Sequence, residues 1–562
     1  MKTKGNRTAN LSLLLLLLLS FQSQLPGSAQ AVPSDPYPGF WEGSFMGDFR
    51  TVIRIIPSEK GYTGNIVMYS GPQMIQDDPI TEISVEGDQL NFFIPAKETR
   101  FTGTFNKEIT SVTGIFIFPD GSEHPIEVRK SPEDVGPEAS EEQYLELRNR
   151  LYDPSLLKED LLYLVEQLKN NHPRLYSYTT EREMDDAVER ILGRLDRQMG
   201  LEEYFLLISP LVEMVRCSHT GIRLPSEYLQ QAAAYGNYLP LRIICERGRI
   251  YYLSAIEQPD PGIAPGTEIA SINGIPTAEI LAKLWPMVNS EGFNTTTRYF
   301  CLNKQFHDLY HIIDRAALYE VEFLTLPVHK TVGFHACTHE VLSAGTGEEK
   351  TRSPLYFILN DEIPAGILRV SSFEIPDMDW YMGELERVFN LLEQKGTPNL
   401  ILDLRGNPGG HPIFAAQLLS YLVEEDFTYF RRNPDVEEFE PLYHPMQPDP
   451  CHFKGKLYVL VDGGCLSTTG HLISQIKYRT HAVFIGQEPG STFRCNDFSI
   501  KVSLANTAIE ANIPRVTFET AVEGFREGVP FPLDHPVRCS ISDAVQGIDR
   551  ILLYCEELAS GS

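Results

Sequence analysis

Leu457-Tyr458-Val459-Leu460-Val461-Asp462-Gly463-Gly464-Cys465-Leu466-Ser467-Thr468-Thr469-Gly470 is the stretch on which the fold of this 562-residue chain turns. Five apolar residues in a row suit a strand buried on both faces. Two glycines then permit a sharp turn, and an amphipathic run from His471 to Lys477 predicts a helix. Strand, glycine turn and helix start make an elbow that presents a side chain beside the unpaired N–H groups of the first helical turn. Ser467 therefore has two readings. It is a nucleophile backed by oxyanion donors, or it caps the helix, since Ser and Thr are favoured N-caps.

A similar unit stands upstream. Asn399-Leu400-Ile401-Leu402-Asp403-Leu404-Arg405 reads as a mostly apolar strand running into Gly406-Asn407-Pro408-Gly409-Gly410, with a helix predicted over His411 to Leu422. The segment Ala365 to Phe373 and a helix over Trp380 to Gln394 precede it. This β-α-β-α rhythm predicts a mostly parallel sheet covered by helices. Ligands in such sheets sit at the carboxyl ends of the strands, where both glycine turns fall.

Further out, the pattern divides the chain. Lys2, Lys4 and Arg7 ahead of the leucine run Leu11 to Leu19, then Ser28-Ala29-Gln30-Ala31, predict a cleaved export signal over residues 1–31. The mature protein is then expected to be periplasmic or extracellular, with no integral membrane segment after signal removal. Short alternating runs separated by turn signals predict an all-β barrel or sandwich over 32–130. Aromatics there, such as Trp41, Phe101 and Phe105, suit core packing or a ligand cup. Residues 131–140 read as a linker, and 141–230 as a helical domain ending in Arg216-Cys217-Ser218-His219-Thr220. His219 is a structural histidine or a base. Residues 231–300 are similar to half of a PDZ domain, with the tight turn Asn273-Gly274, and 301–562 hold the α/β core. Such a module adds a peptide to a sheet edge, or serves structure alone.

The formal net charge is −28, and about −31 once Lys2, Lys4 and Arg7 are removed with the signal. That balance disfavours nucleic acid and anionic membrane surfaces as partners. The nine cysteines form no CxxC pair and stand beside no zinc-finger His spacing, so no metal is expected, and the odd count leaves at least one thiol free. No cofactor is expected either.

Four motifs together resemble the C-terminal processing (tail-specific) peptidases: LILDLRGNPGG at Leu400 to Gly410, the Ser467 elbow, IGQEPGSTF at Ile485 to Phe493 and REGVPFPLD at Arg526 to Asp534. The helix from Lys158 to Tyr176 is similar as well, and the resemblance runs to about Leu558. It implies a ClpP/crotonase-like α/β core within a multidomain α+β and α/β chain, peptide or protein substrates, and hydrolysis through a Ser467 acyl-enzyme. It leaves a homo-oligomer open. Members with a Ser-Lys dyad carry a lysine downstream of the elbow, but Pro489 to Arg494, with Thr492 near that spacing, has none. The tricorn-core and interphotoreceptor-retinoid-binding-protein branch instead implies a base in an early Ser-His segment, here His219. It also implies an orienting partner, Ser218, backed by Glu527, with Glu523 as the rival. An imidazole has the pKa to activate a serine, and the oxyanion needs two N–H donors, expected from Thr468 and the Gly409-Gly410 turn. Two departures stand out: Gly470 and His471 follow the elbow where the family often has a glutamate, and Cys465 is a candidate thiol. The alternative function is a non-catalytic member of this scaffold that binds a hydrophobic ligand or a protein.

Overall fold

The computed structural model describes residues 37–561 apart from 38, 46–48, 59–60, 71–72, 98, 108, 120, 132–140, 347–352, 361–362, 376, 434–435, 438 and 530–531. The expected export signal and nearly all of the expected linker lie outside the described residues. The chain forms two compact units, Met1–Glu138 and Ala139–Ser562. No helix among the described residues is long and apolar enough to cross a membrane.

In the first unit eight strands, from Gly39–Phe45 to Glu123–Ser131, pair with their neighbours in turn, and the first pairs antiparallel with the last to close a barrel. Alternation decides which side chains point inward: in Thr99–Phe105, residues 99, 101, 103 and 105 are buried. The interior is filled. Phe92 and Phe101 stack at 4.6 Å, and a Cβ on Gly114 would lie 2.4 Å from the Phe101 ring. Trp41, Phe101 and Phe105 are thus core, and the rings occupy the space a ligand cup would need.

In the second unit the helices and the following sheet share one core, in which Leu161, Leu164, Tyr204 and Ile208 belong with Ile250, Ile269 and Phe323. The sheet runs Leu241–Glu246, Arg249–Ala255, Glu268–Ile272, Leu318–Phe323, Lys330–His335, all antiparallel. It therefore crosses the boundary expected at residue 300, because the helix Thr296–Ile313 interrupts it in sequence without ending it in space. Asn273 and Gly274, at φ +50° and +74°, make the expected tight turn. At the edge strand, Asn303 Oδ1 accepts the Cys245 N–H at 2.6 Å and Asn303 Nδ2 donates to the Cys245 carbonyl at 3.2 Å. His307 Nε2 contacts the Leu241 carbonyl at 2.7 Å. These side chains hold groups that an added peptide strand would use, which favours the structural reading of this module.

The core sheet has the order Leu355–Asn360, Ala365–Val370, Asn399–Asp403, Lys456–Val461, Val483–Gly486, His535–Pro536. The first pair is antiparallel and the rest are parallel. The continuous apolar run is explained by burial on two faces. Leu457, Val459 and Val461 enter one cluster, while Tyr458 and Leu460 enter another with Ile551 and Cys555 of the helix Arg550–Ser560.

Candidate active site

The two glycine turns meet because the strands that feed them, Asn399–Asp403 and Lys456–Val461, are parallel neighbours. The Leu466 N–H donates to the Asn407 carbonyl at 3.0 Å and stitches the turns together. Gly409 and Gly410 sit at φ +105° and +130°, and a Cβ on Gly409 would come within 2.8 Å of Ser467 Cβ. Only glycine permits both that backbone and that approach.

Ser467 occupies the N-cap place of the helix Thr468–Arg479 at φ +49° and ψ −124°, yet its side chain makes no capping hydrogen bond. This removes the capping reading. A non-glycine residue in such a conformation costs of order 1–3 kcal/mol, and its surroundings must hold it there. Here the Ser467 N–H donates to Ser491 Oγ at 2.9 Å, and the Ser491 N–H donates to the Cys465 carbonyl at 3.0 Å.

Among the described residues the N–H groups of Thr468 and Gly410 have no acceptor, and both lie beside the elbow. The Gly409 N–H is already donated to Asn407 Oδ1 at 2.9 Å. The expectation for Gly409 as an oxyanion donor is corrected accordingly. Its role is to let the turn approach Ser467, and the free donor of the pair is Gly410. The Thr468 hydroxyl donates to the Gly410 carbonyl and fixes that peptide's direction.

His219 is delivered by the short strand Gly221–Arg223, which pairs with Glu510–Ile513. Asn512 Nδ2 donates to the His219 carbonyl at 2.6 Å. His219 Nδ1 lies 3.2 Å from Ser218 Oγ and 3.4 Å from Cys495 Sγ, and Nε2 lies 3.6 Å from Asp497 Oδ2. Cys495 Sγ is 3.9 Å from Ser467 Oγ. The thiol thus adjoins both groups, and no hydrogen bond joins His219 to Ser467 among the described residues. Burial pushes the Cys495 thiol well above its ordinary range, and the Asp497 and Glu291 carboxylates add to that, so it remains a protonated, space-filling group.

Ser218 is held by a glutamate, and it is Glu291. The Ser218 N–H and hydroxyl donate to Glu291 Oε2 at 3.3 and 3.4 Å, and the Tyr178 hydroxyl donates to Oε1 at 3.3 Å. Burial pushes the Glu291 carboxyl up to about 7 against the pull of these hydrogen bonds. Glu527, expected in this place, is instead bound by Arg174 and by Arg494, the latter at 2.7 Å. Two guanidinium groups claim its carboxylate, and Glu523 is exposed. Glu291 escaped the sequence reading because its contact with Ser218 spans 73 residues and no local pattern encodes it. The available signal was the dipeptide Glu291-Gly292, which repeats Glu523-Gly524 and Glu527-Gly528.

The other candidates stand apart. Lys477 pairs with Asp534 at 2.9 Å, and the buried Cys465 thiol donates to the Leu404 carbonyl at 3.1 Å. Asn407, not singled out in the sequence, is fully buried and clamps the Gly409 turn. Beside Ser467 opens a cavity of about 260 Å³ whose lining includes Phe430, Phe439, Phe518 and His471.

Comparison with known proteins places this site on a recognisable scaffold. Residues 364–515 match the model of peptidase family S41, a segment that contains Gly409, Gly410, Ser467 and Cys495 but not Ser218, His219 or Glu291. No curated protein matches the chain. The crystal structure of mature CPAF superposes with TM-score 0.52 at 13% identity, over 72% of this chain and 97% of that one. Mature CPAF complexed with lactacystin gives TM-score 0.53 at 13% identity, over 72% and 98%. The photosystem II D1 C-terminal processing protease gives 0.36 at 14% identity, over 70% and 98%.

Proposed function

We propose that this chain, whose residues 364–515 match the model of peptidase family S41, is an exported serine peptidase that cleaves through an acyl-enzyme on Ser467, with His219 as the base. Ser467 Oγ attacks the scissile carbonyl while His219 takes its proton, and the oxyanion is received by the N–H groups of Thr468 and Gly410. Collapse releases the amine, which leaves with the proton from His219, and a water activated by the same imidazole hydrolyses the ester. Ser218, held by Glu291, fixes the ring from its Nδ1 side. In the resting arrangement the ring contacts Cys495 and Asp497, so substrate binding must turn it to Ser467. Export rests on the basic, leucine-rich N-terminal segment.

The observation that carries this reading is Ser467 itself, held at positive φ, free of any capping role and beside two unpaired N–H donors. Labelling with a fluorophosphonate tests it. Wild type is expected to label and Ser467→Ala to remain blank, and equal labelling of the two would overturn the assignment.

A further inference from the structure

We propose that a second cavity, behind the Ser467 elbow, binds a small zwitterion, a dipeptide with apolar side chains, and that this ligand steadies the elbow. The site itself is independent of the peptidase reading, and only its link to turnover rests on that reading. The cavity has a volume of about 320 Å³, at the low end of the general range of about 300–1,000 Å³ for drug-sized ligands. It opens where the edge strand Leu241–Glu246, the start of the helix Thr296–Ile313, the turn at Asp462-Gly463 and the segment Arg538 to Ala544 come together. Neither Ser467 nor His219 lines it.

Four charged side chains line the cavity, two acids and two bases. Glu246 and Arg247 pair with each other at 3.7 Å, which leaves Asp462 and Arg538. Asp462 Oδ1 accepts the N–H groups of Gly406 and Gly464 at 2.8 and 2.9 Å, whereas its Oδ2 makes no hydrogen bond among the described residues. Asp462 is half-buried, and Oδ2 is not among the unpartnered polar atoms shut off from solvent, so a guest can reach it. Arg405 is tied to Asp403 and Asp549 at 2.8 Å and gives this oxygen no hydrogen bond. Arg538 is exposed and makes no ion pair or side-chain hydrogen bond among the described residues. Glu488 lies within reach of its field but is bound through Oε1 to Asn294 Nδ2 at 2.8 Å. One unanswered carboxylate oxygen and one unanswered guanidinium in the same cavity match a ligand that carries an ammonium and a carboxylate.

Ile244, Phe300 and Ile541 also line the cavity and are half-buried, so apolar surface remains for the ligand's side chains to cover. The edge strand does not read the ligand here, because Asn303 holds both backbone groups of Cys245. Recognition falls to the two charged ends, which sets this ligand apart from a peptide added as a strand. Asp462 joins the cavity to the elbow. Its Oδ1 ties Gly406 of one glycine turn to Gly464 of the other, and a Cβ on Gly464 would lie 2.4 Å from the Phe300 ring. Burial pushes the Asp462 carboxyl up, against the pull of those two N–H groups. An ammonium on Oδ2 favours the ionised form and so strengthens its hold on both turns. Those turns carry Gly410 and Ser467, and in the proposed mechanism a firmer clamp keeps the oxyanion donors aimed.

Calorimetry on the full chain carrying Ser467→Ala, which cannot turn a peptide over, tests the site with leucyl-phenylalanine, its N-acetyl form and its C-terminal amide. The free dipeptide is expected to bind, and capping either end to weaken binding by about tenfold or more. Adding Arg538→Gln, a change on an exposed side chain, should weaken the free dipeptide about tenfold and leave the amide unmoved, since the amide has no carboxylate to lose its partner. With Ser467 intact, saturating free dipeptide should raise the rate of fluorophosphonate labelling about fivefold, and Arg538→Gln should need about tenfold more dipeptide for the same rise. No binding, equal binding of the capped forms, or an affinity unmoved by Arg538→Gln overturns the site, and Ser467 labelling then still supports the peptidase reading. Binding as expected with an unchanged labelling rate overturns the link to the elbow. A chain that binds the dipeptide as expected but never labels overturns the peptidase reading and leaves the site standing.

Discussion

The backbone N–H and the hydroxyl of Ser218 converge on a single carboxylate oxygen of Glu291, at 3.3 and 3.4 Å. In the proposed mechanism Glu291 is then the positioning residue for the Ser218–His219 pair. Glu291→Gln keeps the volume but loses the ionisable carboxyl that Ser218 donates to and that can ionise to balance a protonated imidazole. It should lower kcat about a hundredfold with KM little changed. Glu527→Gln takes the carboxylate away from Arg174 and leaves Arg494 paired with Glu519 alone, so its main effect should be a lower thermal midpoint. Steady-state kinetics on both variants checks the assignment, and a larger kcat loss in Glu527→Gln would return the role to that residue.

Glu291 also makes stability depend on pH, with a definite sign. Its carboxyl titrates near 4.5 when solvated and is pushed up to about 7 in the fold. Between those values the folded state keeps a proton that the unfolded chain has lost. Stability from this group is therefore greatest below about pH 4.5 and declines until pH passes about 7, by on the order of 3 kcal/mol. Glu291→Gln has no charge to bury, so it should lose this slope. Urea midpoints for both proteins at pH 5, 6 and 8 measure it, and parallel pH profiles would remove Glu291 as the cause.

What could be read in the sequence depended on distance along the chain. Ser467 was legible because strand, glycines and helix start are contiguous and each has its own local signature. His219 became a candidate base through the resemblance to the tricorn-core branch, since locally a Ser-His pair between a helix and a strand does not tell it apart from a structural histidine. Glu291, Asn407 and Cys495 were not legible as site residues. Their roles come from contacts fixed by sheet order, such as the parallel pairing of Asn399–Asp403 with Lys456–Val461. The sheet that runs across residue 300 was hidden for a related reason. Leu318–Phe323 joins Glu268–Ile272 across an intervening helix, and a strand's partner is not written in its own periodicity.

Cys495 offers a test of how tightly the resting site is packed. Its thiol is buried and held well above its ordinary pKa, so the reactive thiolate is scarce near neutrality. Iodoacetamide applied to the native protein at pH 7.5 should leave Cys495 unmodified, while denatured protein is fully alkylated at that position. Peptide mass mapping distinguishes these outcomes. Rapid native alkylation would mean that the thiol is exposed and ionised, and that Cys495 competes with Ser467 as a nucleophile.

In the proposed mechanism Asn407 positions the oxyanion donors through the turn it clamps. Its Oδ1 accepts the Gly409 N–H at 2.9 Å, its Nδ2 donates to the Val370 carbonyl at 3.0 Å, and its carbonyl accepts the Leu466 N–H at 3.0 Å. Asn407→Ala removes both side-chain bonds and leaves two buried backbone groups unpaired, at a cost of roughly 2–4 kcal/mol in stability. With the Gly409 peptide free to turn, the neighbouring Gly410 N–H should lose its aim. Activity per folded molecule should then fall by about 10- to 100-fold in kcat, with a smaller change in KM. Asn407→Asp keeps the acceptor for Gly409 and loses the donor to Val370, so it should fall between wild type and alanine. Were KM to rise while kcat held, Asn407 would be shaping substrate binding, and the oxyanion donors would have to be sought away from the Gly409-Gly410 turn.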